Sequence, residues 1–361
     1  MPKLHLDNTF MTHEFIEIIE SYSKAKQQGI PAVIATVVDV EGSSYRRPGV
    51  GMLILQNGKM TGAVSGGCVE KEVLRQAQSV FQSGKPKMMT YDGKYRLGCE
   101  GLLYILIETF DISKTIIETI RDYLKSRTTF TIVSVFSKTE TDISSMGSIV
   151  QFNKEKTFSF SDNVVQDESL NNFRREIQPC FRLVIIGIEH DAVQLCKLAT
   201  ATGWEVIIIG SPSSPKQLED FPGAKNIIHS IPENLNIDNV DNQTAIVLMT
   251  HNFAKDLLYL QAIKEVRPAY IGLLGPARRR EKLLSAFIEY FPEVSDTFLD
   301  AIHGPAGLNL GAETPQEIAI SVIAEILSVI RGQNPIPLQE KIGAIHDDPK
   351  RKELDVVKVK S

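Results

Sequence analysis

Cysteine is scarce in this chain. Four occur among 361 residues, at positions 68, 99, 180 and 196, and no two form a CxxC pair. That scarcity argues against a disulfide framework and fits a reducing compartment, so the cytoplasm is the expected location. Charge of one sign is also lacking. A net charge of −5 offers no electrostatic footprint for nucleic acid. Long apolar runs are missing too: the longest, Ile318 to Ile330, is broken by Ser321, Glu325 and Ser328, which suits a buried amphipathic helix and no membrane span. The first residues show no cationic segment leading into an apolar run, so a secretory leader is not expected. What is present is ordinary for a globular protein, with 43% apolar and 23% charged residues, and the length predicts two or three domains.

Two patterns divide the chain. Phe15, Ile18, Ile19, Tyr22 and Ala25 predict a helix over about 13–28, stopped by Gly29 and Pro31. A strand over 32–38, a loop through 41–49, and a hairpin of 52–55 and 59–64 about Asn57-Gly58 come next. Ser65-Gly66-Gly67-Cys68 then leads into a helix ending near Ser83. Segments 114–125, 130–136, 148–152 and 157–160 echo this order, so 32–110 and 114–161 read as an internal pseudo-repeat. The polar stretch 162–178 is expected to be an interdomain linker. From 179 to 332 strands and helices alternate, and apolar runs without strict alternation predict a parallel sheet buried on both faces. Thr314-Pro-Gln-Glu317 carries the signature of a capping box opening the last helix. A polar tail is expected over 333–361. The fold class is therefore α/β, an α+β domain over 1–161 followed by a Rossmann-like parallel-sheet domain.

The dinucleotide fingerprint of that second domain is altered. Gly187-Ile188-Glu189-His190-Asp191-Ala192 keeps the glycine of the tight turn but places Glu189 where pyrophosphate normally approaches bare backbone. The second strand ends at Gly210, where a ribose-binding carboxylate is expected. NAD(P) binding and a scaffold serving another ligand both stay open. Thr250, His251, Gly275 and Arg278 follow later strands, at the sheet edge where such folds place ligands. Arginines beside a helix start suit an anion there. In the first domain, Arg46 and Arg47 occupy a Gly/Ser/Pro loop, and the glycines of Ser65-Gly66-Gly67-Cys68 expose backbone N–H groups at a helix start. A thiol in that position favours the thiolate and suits a soft metal or a sulfur-bearing ligand. Cys99, in Gly98-Cys99-Glu100-Gly101, offers a second thiol, whereas Cys196 and Cys180 read as packing residues.

These residues resemble the xanthine dehydrogenase accessory factor family (XdhC/CoxI). The likeness rests on Gly42-Ser-Ser-Tyr-Arg-Arg-Pro-Gly49, Ser65-Gly-Gly-Cys-Val-Glu70, Gly98-Cys99-x-Gly101, Thr250-His251, Ile271-Gly-Leu-Leu-Gly275 and Gly311-Ala-Glu-Thr-Pro-Gln-Glu-Ile-Ala319. Where the family reads Gly-Cys-Gly-Gly and Gly-Ala-Gly-His, this chain has Glu100 and the pair Ile188-Glu189. The resemblance implies an accessory chaperone rather than a stand-alone catalyst. Such a protein binds molybdenum cofactor (molybdopterin) and helps load an apo molybdenum hydroxylase such as xanthine dehydrogenase, an enzyme of purine metabolism. It implies a homodimer, with a cysteine desulfurase as a further partner. The cofactor-binding set is then Arg46, Arg47, Ser65, Gly66, Gly67, Cys68, Cys99, Gly187, His190, Thr250, His251, Gly275 and Arg278, with Cys68 and Cys99 as candidate molybdenum contacts. The alternative is an NAD(P)-binding oxidoreductase or dehydrogenase component built on the second domain.

Overall fold

The computed structural model describes residues 12–42, 47–67, 69–93, 101–139, 145–153, 156–161, 170–237 and 239–342. The chain divides into two compact units, Met1–Cys180 and Phe181–Ser361.

In the first unit, α1 (Thr12–Gln27) buries Phe15, Ile18, Ile19, Tyr22 and Ala25, the residues whose spacing predicts it. β1 (Ala32–Glu41), β2 (Gly51–Leu55), β3 (Met60–Gly62), α2 (Glu70–Ser83), β4 (Lys87–Asp92) and β5 (Leu102–Thr109) follow. The strands form an antiparallel sheet in the order β3-β2-β1-β5-β4. β1 is covered on both sides. Ala32 and Ile34 pack with Phe15 and Tyr22, while Val33, Ala35 and Val37 pack with Val73, Ala77 and Val80 of α2. Gly84 ends α2 in the left-handed conformation, at φ 67°.

A second sheet of this unit follows α3 (Lys114–Lys125). β6 (Phe130–Phe136), β7 (Gly147–Gln151), β8 (Thr157–Ser159) and β9 (Asn171–Ile177) pair in the order β8-β7-β6-β9. Helix, central strand and hairpin thus recur in the order seen for α1, β1, β2 and β3. β9 corrects the expected linker. Residues 162–169 lie outside the described part, but Asn171–Ile177 pairs along the whole of β6, from Phe136↔Asn171 to Phe130↔Ile177. Its inward positions are Phe173, Arg175 and Ile177, and the buried arginine in the middle hides the apolar alternation that marks a strand.

The second unit contains β10 (Arg182–Ile186), α4 (His190–Ala201), β11 (Glu205–Gly210), β12 (Asn226–His229), β13 (Thr244–Leu248), α5 (Phe253–Ala262), β14 (Tyr270–Leu273), α6 (Ala277–Tyr290), α7 (Asp296–Asp300), β15 (Ile302–His303) and α8 (Pro315–Arg331). All six strands are parallel, in the order β12-β11-β10-β13-β14-β15. Ile186, Leu248, Ile271 and Leu273 pack with Tyr259, Leu260, Leu283 and Phe287 of α5 and α6 on one face, while Tyr270 turns to the opposite face, where its hydroxyl donates to Glu325 of α8 at 2.5 Å. The capping box opening α8 forms as its sequence predicts: Thr314 Oγ1 accepts from Glu317 N and Glu317 Oε2 accepts from Thr314 N at 3.0 Å. Among the described residues no helix is long and apolar enough to cross a membrane.

Candidate functional site

The registers of the first sheet bring its motif-bearing connections to one end. Glu41 pairs with Leu102, Asp92 with Leu102, Thr36 with Gly51, and Met52 with Gly62. The carboxyl ends of β1, β3 and β4 and the amino ends of β2 and β5 therefore share one edge. The Arg46-Arg47 loop, the Ser65–Cys68 turn and the segment carrying Cys99 all leave from it. Gly93 N donates to Gly101 O at 3.1 Å, which closes the base of the last segment. Arg46, Cys68 and Cys99 themselves lie outside the described residues. Arg47 is half-buried, and the base of its loop is fixed when the buried Arg175 guanidinium of β9 donates to Gly49 O. Burial pushes the Arg175 pKa down to about 10.

The Ser65 turn is built around a carboxylate that its motif does not advertise. Glu70, 8% exposed at the start of α2, accepts from Ser65 N and from Ser65 Oγ, both at 2.8 Å. Ser65 Oγ in turn accepts from Gly67 N at 3.2 Å and Val69 N at 3.4 Å. Burial opposes ionisation of Glu70, but these hydrogen bonds outweigh it and hold the carboxyl below its ordinary range. So Gly67 N–H, expected to be open to an anion, is engaged within the chain, as is Ser65 N–H. Gly66 and Gly67 nevertheless remain exposed, with no heavy atom within 4 Å of where a Cβ would stand. Gly67 has φ +118°, a conformation that favours glycine. Gly66 and Gly67 thus present bare backbone that a bulky ligand can approach closely.

In the second unit the strand order reverses between β10 and β13, which opens a crevice at their carboxyl ends. Gly187 sits at its floor with φ +148°, so close to the Met249 carbonyl that a Cβ would collide with it. His190 and Glu189 are exposed, and Glu189 forms no side-chain cap on α4. His251 adopts φ +57°, rare for a residue with a side chain, and its Nε2 lies 3.3 Å from Asp191 Oδ2 across the crevice. Thr250 Oγ1 donates at 2.6 Å to Asp256, which is 2% exposed on α5. Asp256 also binds Arg279 Nη2 at 2.6 Å. Of the arginines after Gly275, Arg279 is therefore the one tied into the site, while Arg278 is exposed. Gly275 has φ +122°, and a Cβ there would meet Arg279 Cδ at 2.7 Å. Asp256 belongs to no motif. Its only signal is an acidic residue on the helix face shared with Tyr259 and Leu260. Cys196 is buried, with its thiol pushed up to about 11 by burial, in keeping with a packing role. No cluster of three or more metal-ligating side chains occurs among the described residues.

The architecture defines a two-unit α/β protein in which an α+β unit precedes a doubly wound parallel sheet of Rossmann type. Residues 25–92 match the XdhC and CoxI family, and residues 183–326 match the XdhC Rossmann domain. The chain belongs to the XdhC and CoxI family. It is 30% identical over 313 residues to a probable xanthine dehydrogenase subunit of Bacillus subtilis strain 168, covering 82% of this chain and 92% of that one. It is 26% identical over 328 residues to the molybdenum cofactor insertion chaperone PaoD of Escherichia coli K12, covering 90% and 91% respectively. A crystal structure described as that of a xanthine dehydrogenase from Bacillus halodurans superposes with a TM-score of 0.74 at 28% identity, covering 88% of this chain and 97% of that one.

Proposed function

We propose that this protein is a maturation factor that binds molybdenum cofactor as cargo and delivers it to an apo molybdenum hydroxylase. One observation carries the reading: a single edge of the first sheet gathers the connections that bear Arg46 and Arg47, the Ser65–Cys68 turn and Cys99. Those residue types match the cargo. Guanidiniums suit the anionic phosphate of a pterin cofactor, and thiols suit a metal with soft ligands. The open Gly66-Gly67 turn admits a bulky ring system close to the backbone. Glu70 keeps that turn in shape. Relatives of similar length carry names that point to a hydroxylase partner and to cofactor insertion.

A carrier must hold its cargo reversibly, which suits an exposed turn better than a sealed cavity. The reading extends to a cysteine desulfurase partner and a homodimer, to be checked by co-purification and light scattering.

The test is to purify the chain from a molybdopterin-competent host and measure the fluorescence of oxidised pterin released from it. The wild type is expected to release pterin. Cys68→Ala and the double variant Arg46→Ala/Arg47→Ala are expected to release far less while keeping the wild-type melting temperature. Equal release from all three would refute the assignment.

A further inference from the structure

The connection after β11 has no part in the cargo reading, yet it forms a compact polar cluster at the carboxyl edge of the parallel sheet. β11 ends at Gly210, the place from which a carboxylate would grip the two hydroxyls of an unmodified ribose. A Cβ at Gly210 would stand 3.0 Å from Ile188 Cγ2 and 3.5 Å from His229 Nδ1, so a longer side chain there would have to displace neighbours. The side chains that do occupy this edge include groups able to donate. Ser214 N donates to Ser211 O at 2.9 Å and closes a tight turn, which sets Ser211 Oγ and Ser213 Oγ 3.0 Å apart. Ser214 Oγ then accepts from the backbone N–H of Lys216 at 3.2 Å.

Lys216 is thereby aimed back over the sheet edge. Its ammonium donates to the Ile188 carbonyl, in the turn between β10 and α4, and lies 5.8 Å from the centre of the Phe221 ring. An ammonium has three N–H bonds, and these contacts use one of them as a hydrogen bond. His229 completes the cluster. Its Nδ1 is 3.1 Å from Ser211 O, a carbonyl, so Nδ1 carries the proton and Nε2 is left to the exposed side. Paired hydroxyls, an ammonium and an imidazole surround the place where a ribose-binding carboxylate is missing. That set suits a doubly charged phosphate, and it lacks the carboxylate that accepts from both hydroxyls of a ribose diol. Carboxylates also stand close by along the chain: Glu189, next to Ile188, is exposed and takes no capping hydrogen bond from α4, and Asp220 accepts from Gln217 N at 2.8 Å.

We propose that Ser211, Ser213, Lys216 and His229 form a phosphomonoester subsite in the second unit. Such a group reaches it on the 2′-position of an adenine nucleotide or at the phosphate end of a pterin cofactor, and the chemistry recognised is the same. The subsite stands whether or not the first unit holds the molybdenum cofactor.

Isothermal titration of the full chain with adenosine 2′-monophosphate, adenosine 5′-monophosphate, NADP, NAD and orthophosphate tests it. The 2′-phosphorylated ligands are expected to bind about tenfold or more tighter than their 5′-monophosphate and NAD counterparts, the scale of one charge-assisted hydrogen bond or two. Lys216→Ala should abolish that preference and Lys216→Arg should keep most of it, with both variants melting like the wild type. Orthophosphate that binds as tightly as the nucleotide, and with the same dependence on Lys216, supports the subsite and points to the non-nucleotide source. Absence of saturable binding by every probe, or binding that ignores Lys216→Ala, overturns the proposal. Because no readout involves pterin, failure here is distinct from failure of the cargo reading.

Discussion

Glu108 gives the first unit a pH dependence that the structure allows one to size. It lies on β5 at 0% exposure and accepts from Ser148 N at 2.8 Å and Ser148 Oγ at 2.6 Å, while Ser148 and Ser134 hydroxyls are 2.7 Å apart. The carboxyl therefore joins β5 of one sheet to β6 and β7 of the other. Burial raises its pKa from 4.5 to about 7, against the opposing effect of the two Ser148 hydrogen bonds. A carboxyl whose pKa is higher folded than unfolded binds its proton more tightly in the native state. Its contribution is complete below pH 4.5 and is lost as pH rises through about 7. At about 1.4 kcal/mol per unit, the loss is about 3 kcal/mol. Glu108→Gln keeps the shape and cannot ionise, so this pH dependence should vanish in the variant. Urea unfolding at pH 5 and pH 8, followed by far-ultraviolet circular dichroism, measures the difference. The single tryptophan, Trp204, belongs to the second unit, and its emission reports that unit's unfolding separately. A wild type and a Gln variant that lose stability in parallel between the two pH values would show the reasoning to be wrong.

Three further outcomes follow from particular contacts. Arg279→Ala leaves the buried Asp256 without its cation and should cost about 3 kcal/mol, read from Trp204 emission in urea, with Asp256→Asn restoring part of the loss in the double variant. Gly187→Ala forces a Cβ against the Met249 carbonyl at φ +148°, so a loss on the order of 2 kcal/mol or more is expected in the same assay, and a neutral result would contradict the close approach. Glu70→Gln weakens the bonds that shape the Ser65 turn. It should lower stability by about 1–2 kcal/mol and reduce pterin release in parallel, whereas unchanged release would separate the turn from cargo binding.

Much of the fold can be read directly from residue order. The helical spacing from Phe15 to Ala25, the Asn57-Gly58 hairpin, the Thr314–Glu317 capping box and the unbroken apolar strands of the second unit are local signals that the structure repeats. β9 was not legible because its central inward residue is Arg175, buried against partners distant in sequence. β4 and the two-residue β15 are defined by pairing more than by pattern.

The site divides the same way. Sequence by itself determined the family, the glycine-framed turns and the residue types offered to a ligand, because turns and caps depend on neighbours a few positions away. Tertiary structure alone decided that Glu70 holds the Ser65 turn, that Asp256 selects Arg279 over Arg278, that His251 meets Asp191, and that several connections share one sheet edge. Those outcomes depend on strand register and on burial, which pairs charges far apart along the chain because an unpaired charge in the interior is costly.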